Sequence, residues 1–567
     1  MWRDWRLFVP KSVTILRQGY GPADLRHDAF AGLTVAIVAL PLPMALAIAS
    51  GAAPAAGLIT AVVAGFLISA LGGSRFQIGG PTGAFVVIVY GVIAEHGYDG
   101  LLLATLMAGA ILIAAGLARV GTLIKYIPDP VTTGFTAGIA VIIMASQLKD
   151  FLGLDAAAVP AEFIPKLQAL WAARETLSLS ALALAAGCLA AIWLLRRHAP
   201  KVPGFLVVTV AAAALVALAG LPVETIGSRF GEVPSALPVP SLDFLSWSKA
   251  QAVLPDALTI ALLAGVESLL SAVVADQMTG RRHRSNMELV AQGVANVASA
   301  AVGGLPATGA IARTATNIRS GARSPVAGML HAAFLLVFML ALAPAMRFVP
   351  LAALAAILVV VAVNMAEMHR FRMILGTSFG DRAVLLATFA LTVLVDLTVA
   401  IEVGMVLAAF VFMHRMAQLS SVEGGTPLIE GDQDDFGRRD APYAPNEGLP
   451  QDVAVITFRG PLFFGSASTL KDTLDQIGGR KRLYILRLEE VPMIDPTGAF
   501  ALGSFLEQVR RGGAAVTLCG VQAKVAEQLR RSVDPHVLEG VEFAASFGAA
   551  KAWEADAGAA PADSAPA

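Results

Sequence analysis

Two glycine- and proline-rich stretches decide the fold of this 567-residue chain: Gly79-Gly80-Pro81-Thr82-Gly83-Ala84 and Gly303-Gly304-Leu305-Pro306-Ala307-Thr308-Gly309-Ala310. The apolar runs that follow them, 85–93 and 311–318, are too short to cross a bilayer, which takes about 20 helical residues. The shared Thr-Gly-Ala triplets lie 226 positions apart (308 minus 82). A second match, of 33–37 with 258–262, has an offset of 225 (258 minus 33), so the sequence indicates an internal repeat.

The composition excludes a soluble globular protein. The chain is 56% apolar and 15% charged, with a mean hydropathy of +0.70, whereas soluble proteins are about 45–50% apolar and about 25% charged. Its 41 basic and 42 acidic residues argue against a nucleic-acid partner. The two cysteines, Cys188 and Cys519, have no disulfide or zinc spacing. We therefore predict a polytopic protein of the lipid bilayer, with no enzymatic activity, cofactor or metal.

Fourteen apolar segments are predicted to span the membrane. They are 30–49, 55–72, 82–94, 100–118, 131–148, 178–195, 204–220, 254–275, 288–303, 308–319, 326–345, 350–364, 382–396 and 398–416. With the basic N-terminus inside, the connections predicted to be cytoplasmic collect arginine and lysine, as at 196–201 and 281–284. Because fourteen is even, both termini are predicted to be cytoplasmic.

The composition changes after the last span. Residues 421–450 are rich in Gly, Pro, Asp and Glu and indicate an exposed linker. From 451 to 553, runs typical of strands alternate with helical stretches and predict a small α/β domain. The domain organisation is therefore a cytoplasmic segment 1–28, a transmembrane domain 29–420, the linker, the α/β domain and a disordered tail 554–567.

Each repeat contains seven spans, and because seven is odd the second copy is predicted to be inverted. Inversion points the N-termini of two half-helices at each other near the midplane, where their partial positive charges and free N–H groups suit an anion. Pro81 and Pro306 are predicted at or just before helix starts, and Thr82 and Thr308 as N-caps. Such paired interruptions are typical of the binding site of a secondary transporter. The alternative is a pair of packing kinks without a site.

Charged residues inside the spans extend this site. Glu267 is the one acidic residue deep within 254–275, and Ser271 lies one turn further on the same face. Glu267 is predicted to carry a coupling proton or help hold a cation; the alternative is a neutral acid that seals helix contacts. Arg313 is predicted to add positive charge to the anion site, or else to pair with Glu267 or a carbonyl. His331 is predicted to be a hydrogen-bonded core residue.

At these residues the chain resembles the sulfate permease (SulP) family of anion transporters with a C-terminal STAS domain, and among its members the bacterial dicarboxylic acid transporter. The most specific stretches are 72–76 with 80–82, 267–293, 312–313 and, for the dicarboxylic acid transporter, 41–48. The resemblance implies a 7+7 inverted repeat with core and gate subdomains, an elevator-like motion and a homodimer in the bacterial inner membrane. It places substrate at Thr82, Gly83, Ala84, Thr308, Gly309, Ala310 and Arg313, and the coupling ion at Glu267 and Ser271.

Two departures from the family pattern carry further expectations. Sodium–bicarbonate members are expected to have Asp and Thr where this chain has Glu267 and Ser271, which favours proton over sodium coupling. In the STAS domain, Asp495-Pro496-Thr497-Gly498 occupies the loop that resembles Asp-Ser-Ser-Gly in anti-sigma-factor antagonists. Thr497 is a candidate regulatory residue, although capping of the following helix is the preferred interpretation.

The functional hypothesis is proton-coupled uptake of a small dianion, either a C4-dicarboxylate or sulfate. A bicarbonate transporter or an anion exchanger is the alternative within the same class. An anion channel, or a membrane signalling module whose STAS domain binds a cytoplasmic protein, is the alternative of another class.

Overall fold

The computed structural model describes residues 5–122, 128–156, 159–160, 162–200, 202–231, 236–395, 397–418, 421–422, 426–427, 452–464 and 482–550. The predicted helix near 468–476, the tail 554–567 and most of the predicted linker lie outside these residues. The chain divides into two compact units, Met1–Val406 and Leu407–Ala567.

In its described residues, the first unit contains helices and one pair of two-residue strands, β1 (Gly79–Gly80) and β2 (Thr308–Gly309). Its helices, of which the last continues into the second unit, are α1 (Lys11–Gly19), α2 (Pro22–Ala39), α3 (Pro41–Ala49), α4 (Pro54–Leu71), α5 (Val86–Leu117), α6 (Asp129–Leu152), α7 (Phe163–Ala172), α8 (Leu179–His198), α9 (Gly204–Ala219), α10 (Ile226–Phe230), α11 (Trp247–Ala252), α12 (Leu254–Thr279), α13 (Ser285–Ala301), α14 (Ile311–Arg319), α15 (Val326–Met346), α16 (Leu351–Met365), α17 (Met368–Leu375), α18 (Phe379–Leu394) and α19 (Leu397–Gln418).

Among the described residues, nine helical segments are long and apolar enough to cross a membrane. The predicted span 30–49 covers the second half of α2 and all of α3, and each of the other thirteen coincides with a helix or with half of one. The predicted spans 82–94 and 100–118 lie in one helix, α5, which bends at Gly97, where φ is 71°. Helices α9, α13, α14 and α18 are shorter than these nine segments. Helix α14 has only nine residues because it begins after the second break.

The helix contacts repeat in the order that the sequence repeat predicts. In the sequence repeat, α4 of the first copy corresponds to α13 of the second, and the second half of α5 corresponds to α15. The contact between α4 and α15 is therefore the counterpart of the contact between α13 and the second half of α5, and the structure contains both. Both are close: a Cβ on Gly328 would lie 2.2 Å from Oγ of Ser69, and one on Gly293 would lie 2.5 Å from the Gly109 carbonyl oxygen. Small residues let membrane helices approach to this distance.

The second unit contains a six-stranded sheet in the order β4-β3-β5-β6-β7-β8, in which β5 to β8 are parallel. Its strands are β3 (Ser421–Val422), β4 (Thr426–Pro427), β5 (Val453–Arg459), β6 (Leu483–Glu490), β7 (Ala515–Cys519) and β8 (Glu542–Ala544), and its further helices are α20 (Pro496–Arg511), α21 (Ala523–Ser532) and α22 (Pro535–Leu538). Apolar residues of β5 to β7, α20 and α21 form one core, which includes Phe458, Leu486 and Leu502. Strands β3 and β4 come from the start of the predicted linker.

Candidate anion-binding site

The two breaks meet, although more than two hundred residues separate them in sequence. Strands β1 and β2 pair antiparallel, with Gly79 opposite Gly309 and Gly80 opposite Thr308. The Ala310 N–H extends the pairing by donating to the Ile78 carbonyl oxygen at 2.8 Å. The starts of the two half-helices, at Gly83 and at Ile311, therefore lie just beyond one shared pair of strands.

Thr82 occupies the predicted N-cap position without making a capping bond, and Thr308 is not an N-cap, because Ala310 holds that position before α14. Thr82 stands at the start of the first half-helix, but its hydroxyl makes no capping bond and instead donates to Oε2 of Glu267 at 2.8 Å. Thr308 lies in β2, and its hydroxyl donates to the Ala264 carbonyl oxygen at 2.9 Å. Both hydroxyls are thus used to attach the breaks to α12, so neither half-helix has a side-chain cap.

The two prolines differ in their position relative to the half-helix that follows. Pro81 comes directly before the start of the first half-helix, as predicted. Pro306 lies five positions before Ile311 (311 minus 306) and precedes β2 rather than the helix, so its predicted place at a helix start is wrong.

The two predicted coupling residues on α12 contact different half-helices. Glu267 is partly buried and accepts from Thr82 of the first break. Ser271 is fully buried and donates to Oγ1 of Thr314 in α14 at 3.2 Å. Thr314 in turn accepts from the Ile78 N–H at 3.1 Å, beside β1. One face of α12 therefore contacts both broken segments, as the i, i+4 spacing predicts.

Arg313 lies between the two breaks. Its side chain projects from α14, and Nη2 donates to the Pro81 carbonyl oxygen at 2.6 Å. The other terminal nitrogen, Nη1, is buried without a hydrogen-bond partner, and no ion pair to Glu267 occurs in the described part of the chain. A Cβ on Gly80, whose φ is +142°, would lie 2.7 Å from Nη1, so this approach requires glycine. The predicted carbonyl partner is present, and Nη1 has no acceptor among the described residues.

The small residues of the Thr-Gly-Ala triplets allow close packing at the half-helix starts. A Cβ on Gly83 would lie 2.9 Å from Sδ of Met365 in α16. A Cβ on Gly309 would lie 1.9 Å from Nε2 of Gln77. Ala84 and Ala310 are both buried. A larger residue at Gly309 would overlap the Gln77 side chain, whereas one at Gly83 would meet the flexible end of Met365.

A buried polar network behind the half-helices was not predicted. Gln77, two residues before β1, donates to Oγ of Ser268 on α12 at 2.8 Å. Glu288 on α13 accepts from the Gly73 and Ser74 N–H groups at 2.8 and 2.9 Å. These bonds connect the segment before the first break to the second repeat.

The second break is attached to α13 in a similar way. Asn296 accepts from the Ala307 N–H at 2.8 Å and donates to the Ala307 carbonyl oxygen at 2.9 Å. Gln292, one turn earlier, donates to Oε1 of Glu288 at 3.2 Å. Polar residues at 288, 292 and 296 repeat every four positions along α13. This spacing was the signal in the sequence that indicated a polar face.

Two further predictions are corrected by the contacts. His331 is fully buried in α15, but neither ring nitrogen has a hydrogen-bond partner among the residues that the structure describes, so it is not the hydrogen-bonded core residue expected. Thr497 does not cap α20. Asp495 does, because its Oδ1 accepts from the Gly498 N–H at 2.8 Å, while Thr497 is exposed in the first turn.

A membrane-spanning helical bundle in which two half-helices meet at paired breaks defines a class, the multi-pass membrane transporters. A family model described as "Sulfate permease family" matches residues 25–388, and one described as "STAS domain" matches residues 447–533. The chain belongs to the sulfate permease family and carries a C-terminal STAS domain, so the predicted fold class is confirmed.

Relatives and solved structures agree with this assignment. The chain is 40% identical over 520 residues to "Putative sulfate transporter YvdB" of Bacillus subtilis (91% of this chain, 95% of the relative). It is 31% identical over 518 residues to "Bicarbonate transporter BicA" of Picosynechococcus (90% and 91%). The solved transmembrane domain of a cyanobacterial BicA covers 67% of this chain and 98% of its own, with 35% identity and a TM-score of 0.61.

A murine structure, that of the Solute Carrier 26 family member A9 anion transporter, matches 97% of this chain and 95% of its own length. Its TM-score is 0.85 at 17% identity, a likeness that shows the fold alone. The relatives reported are named for sulfate or bicarbonate, and they give no support to the expected likeness to the dicarboxylic acid transporter. The chain is an anion transporter of this family rather than an enzyme.

Proposed function

We propose that the chain is a secondary active transporter that takes up a small oxyanion across the bacterial inner membrane. The substrate is held between the half-helix starts at Thr82–Ala84 and Thr308–Ala310. One observation carries this proposal: the breaks pair antiparallel through β1 and β2 and leave both helix starts without side-chain caps. Uncapped helix N-termini offer N–H donors and partial positive charge to an anion.

Arg313 supports an anion rather than a neutral or cationic substrate. Its guanidinium is buried beside Pro81, and Nη1 has no acceptor among the described residues. A buried donor without a partner costs about 1–3 kcal/mol or more when charged, so a bound oxyanion within reach would be stabilised. Because Arg313 comes from the second repeat and Pro81 from the first, the anion would contact both halves of the core.

Glu267 is proposed as the coupling residue, with a proton as the coupling ion and sodium as the less favoured alternative. The Thr82 hydroxyl that stands at the first half-helix start donates to the Glu267 carboxylate. An anion placed beside a carboxylate meets like charge, and a proton on the carboxylate removes that repulsion. Proton and anion binding therefore favour each other, which is the thermodynamic requirement for symport. Ser271 supports this arrangement by holding Thr314 of α14.

The substrate proposed first is sulfate or bicarbonate. Relatives of 40% and 31% identity carry these names, whereas the C4-dicarboxylate depends on the resemblance at 41–48, which these relatives do not support. All three are small oxyanions that helix N-termini and one arginine can bind. The pocket dimensions needed by succinate are larger, so direct comparison decides between them.

The test is uptake into proteoliposomes with an inward proton gradient, using labelled sulfate, bicarbonate and succinate in parallel. We expect saturable uptake of sulfate or bicarbonate that a protonophore collapses. Uptake of succinate alone would indicate that the substrate is a dicarboxylate. Uptake that does not depend on the proton gradient would indicate an exchanger, and a large anion current that does not saturate would indicate a channel.

The proposed assembly is a homodimer with both termini in the cytoplasm. Cysteine labelling from either side of sealed vesicles tests the orientation, and the mass of the purified detergent complex tests the dimer. If the STAS domain is instead a signalling module for a cytoplasmic protein, deletion of residues 451–567 should remove a regulatory phenotype while transport by the purified protein persists.

A further inference from the structure

A cavity of about 480 Å³ lies at the face of the first unit where α1 and several helix connections meet, separate from the half-helix starts. The end of α1 contributes Gln18 and the adjoining Tyr20, and the connection before β1 contributes Arg75. The connections after α12 and α14 contribute Arg281 and Arg323. Four separate segments of the chain therefore converge on one polar cavity.

The cavity has more positive than negative charge. Three arginines, Arg75, Arg281 and Arg323, face one acidic residue, Asp24. Asp24 is already paired with Arg323, whose Nη1 lies 2.9 Å from its Oδ1. Within the described ranges, Arg281 has no ion-pair partner, and Arg75 has only a 3.5 Å hydrogen bond to Gln18. Two guanidinium groups thus face the cavity without a carboxylate.

The surroundings add positive charge instead of neutralising it. Burial, together with Arg281 and Arg284, lowers the pKa of Arg75 below its ordinary value. Burial, together with Arg284 and Arg75, likewise lowers the pKa of Lys11 in α1. The nearby carboxylate of Asp276 is engaged, because Oδ2 accepts from the His283 backbone N–H at 3.0 Å and lies 2.7 Å from Nδ1 of that ring. The tyrosine in the lining is also engaged, since the Tyr20 hydroxyl donates to Asp28.

We propose that this cavity is a second anion site, distinct from the transport site, which binds a phosphate group through Arg75, Arg281 and Arg323. The planar donor forks of arginine fit the oxygens of phosphate, and three of them converging on one cavity are typical of phosphate recognition. The phosphate is either free in solution or part of an anionic lipid headgroup, which presents the same chemistry at the membrane surface.

The position of the cavity makes the site regulatory. Phe76, which also lines it, lies three residues before β1, and Arg281 and Arg323 follow the helices that carry Glu267 and Arg313. A phosphate bridging these arginines would tie together the connections on which the two half-helices depend. Ligand binding would therefore change how readily the core rearranges during transport, without occupying the substrate site.

The test measures binding of radiolabelled inorganic phosphate to the purified full-length protein in detergent. In parallel, thermal unfolding is followed in nanodiscs of phosphatidylcholine with and without phosphatidylglycerol. The variants are Arg75→Gln and Arg281→Gln. The matched control is Arg282→Gln, because Arg282 is exposed beside Arg281 and does not line the cavity. Since Arg281 is exposed and makes no hydrogen bond within the described residues, its substitution keeps the test valid if Arg75→Gln fails to fold.

We expect each cavity variant to weaken phosphate binding by about ten-fold, the effect of losing one charge-assisted hydrogen bond, while Arg282→Gln binds as the wild type does. If phosphatidylglycerol alone stabilises the protein, with the same dependence on Arg75 and Arg281, the lipid is the source of the phosphate group. Equal binding by all four proteins, or no response to either phosphate source, would overturn the proposal.

Discussion

The hydroxyl of Thr82 donates a 2.8 Å hydrogen bond to Glu267, a residue 185 positions away in the opposite repeat. Thr82 begins the first half-helix, and Glu267 lies in the middle of α12, which also holds the second break through Ala264 and Thr308. The Glu267 carboxylate therefore contacts the start of one half-helix directly. A change in its protonation alters a hydrogen bond at the proposed substrate site, so single substitutions can test the coupling.

Glu267→Gln should abolish coupling while leaving the site intact. Glutamine keeps an oxygen that accepts from Thr82 but cannot bind or release a proton, so only the titratable function is removed. We expect the stimulation of uptake by an inward proton gradient to fall by about ten-fold or more, with exchange at equal pH retained. The measurement is uptake of the anion transported by the wild type, with and without the gradient.

The control for that substitution is Glu402→Gln, an exposed glutamate in α19. It changes the charge by the same amount as Glu267→Gln but lies outside the breaks and α12. It should leave the gradient dependence unchanged. Undiminished gradient-driven uptake by Glu267→Gln would show that the carboxyl is structural, as in the alternative of a neutral acid that seals helix contacts.

Thr308→Val should weaken the attachment of the second break. The Thr308 hydroxyl is fully buried and donates to the Ala264 carbonyl oxygen at 2.9 Å, and valine fills the same space without the donor. We expect a loss of about 1 kcal/mol in stability, seen as a lower thermal unfolding midpoint, together with weaker substrate binding. Thr308→Ser retains the hydroxyl and should behave close to the wild type. Equal behaviour of the two variants would contradict a role for this hydrogen bond.

Much of the architecture could be predicted because it depends on patterns that are local in sequence. Apolar length identified the spans, and the repeated Thr-Gly-Ala triplet identified the two breaks that pair as β1 and β2. The odd number of spans per repeat required inversion, and the pairing of the breaks is antiparallel. The α/β character of the C-terminal unit followed from alternating strand and helix patterns in the same way.

The polar contacts of the site could not be predicted because they join distant segments. A threonine before a helix favours capping locally, but the Thr82 and Thr308 hydroxyls instead bond to α12, which only the packed structure brings near. Nothing in the sequence around Arg313 indicates the Pro81 carbonyl oxygen as its partner. The sequence around Gln77 gave no local signal of its hydrogen bond to Ser268. On α13, by contrast, polar residues at every fourth position indicated a polar face.

Asp495, rather than Thr497, should control the stability of the STAS domain. Its two carboxylate oxygens accept from the Gly498 and Phe464 N–H groups at 2.8 and 2.9 Å. Asp495→Ala removes both acceptors and should destabilise this domain by about 1–2 kcal/mol. Hydrogen exchange of α20 in the full-length protein measures the effect. Thr497→Ala is the control, because Thr497 is exposed and no capping bond depends on it. Equal protection in both variants would refute the assignment of the cap.

Gly309→Ala should disrupt the site by steric overlap alone. The added methyl would lie 1.9 Å from Nε2 and 2.5 Å from Cδ of Gln77, and Gln77 cannot easily move because it donates to Ser268 at 2.8 Å. Either this bond breaks or β1 and β2 separate, and overpacking of this kind costs about 1–3 kcal/mol. We expect a lower unfolding midpoint and loss of uptake.

Gly91→Ala is the matched control, since a Cβ at this position in α5 would meet nothing within 4 Å. It should keep wild-type uptake and be as stable as the wild type or up to about 1 kcal/mol more so. Normal uptake by Gly309→Ala would mean that the paired breaks tolerate displacement and that the substrate is bound elsewhere.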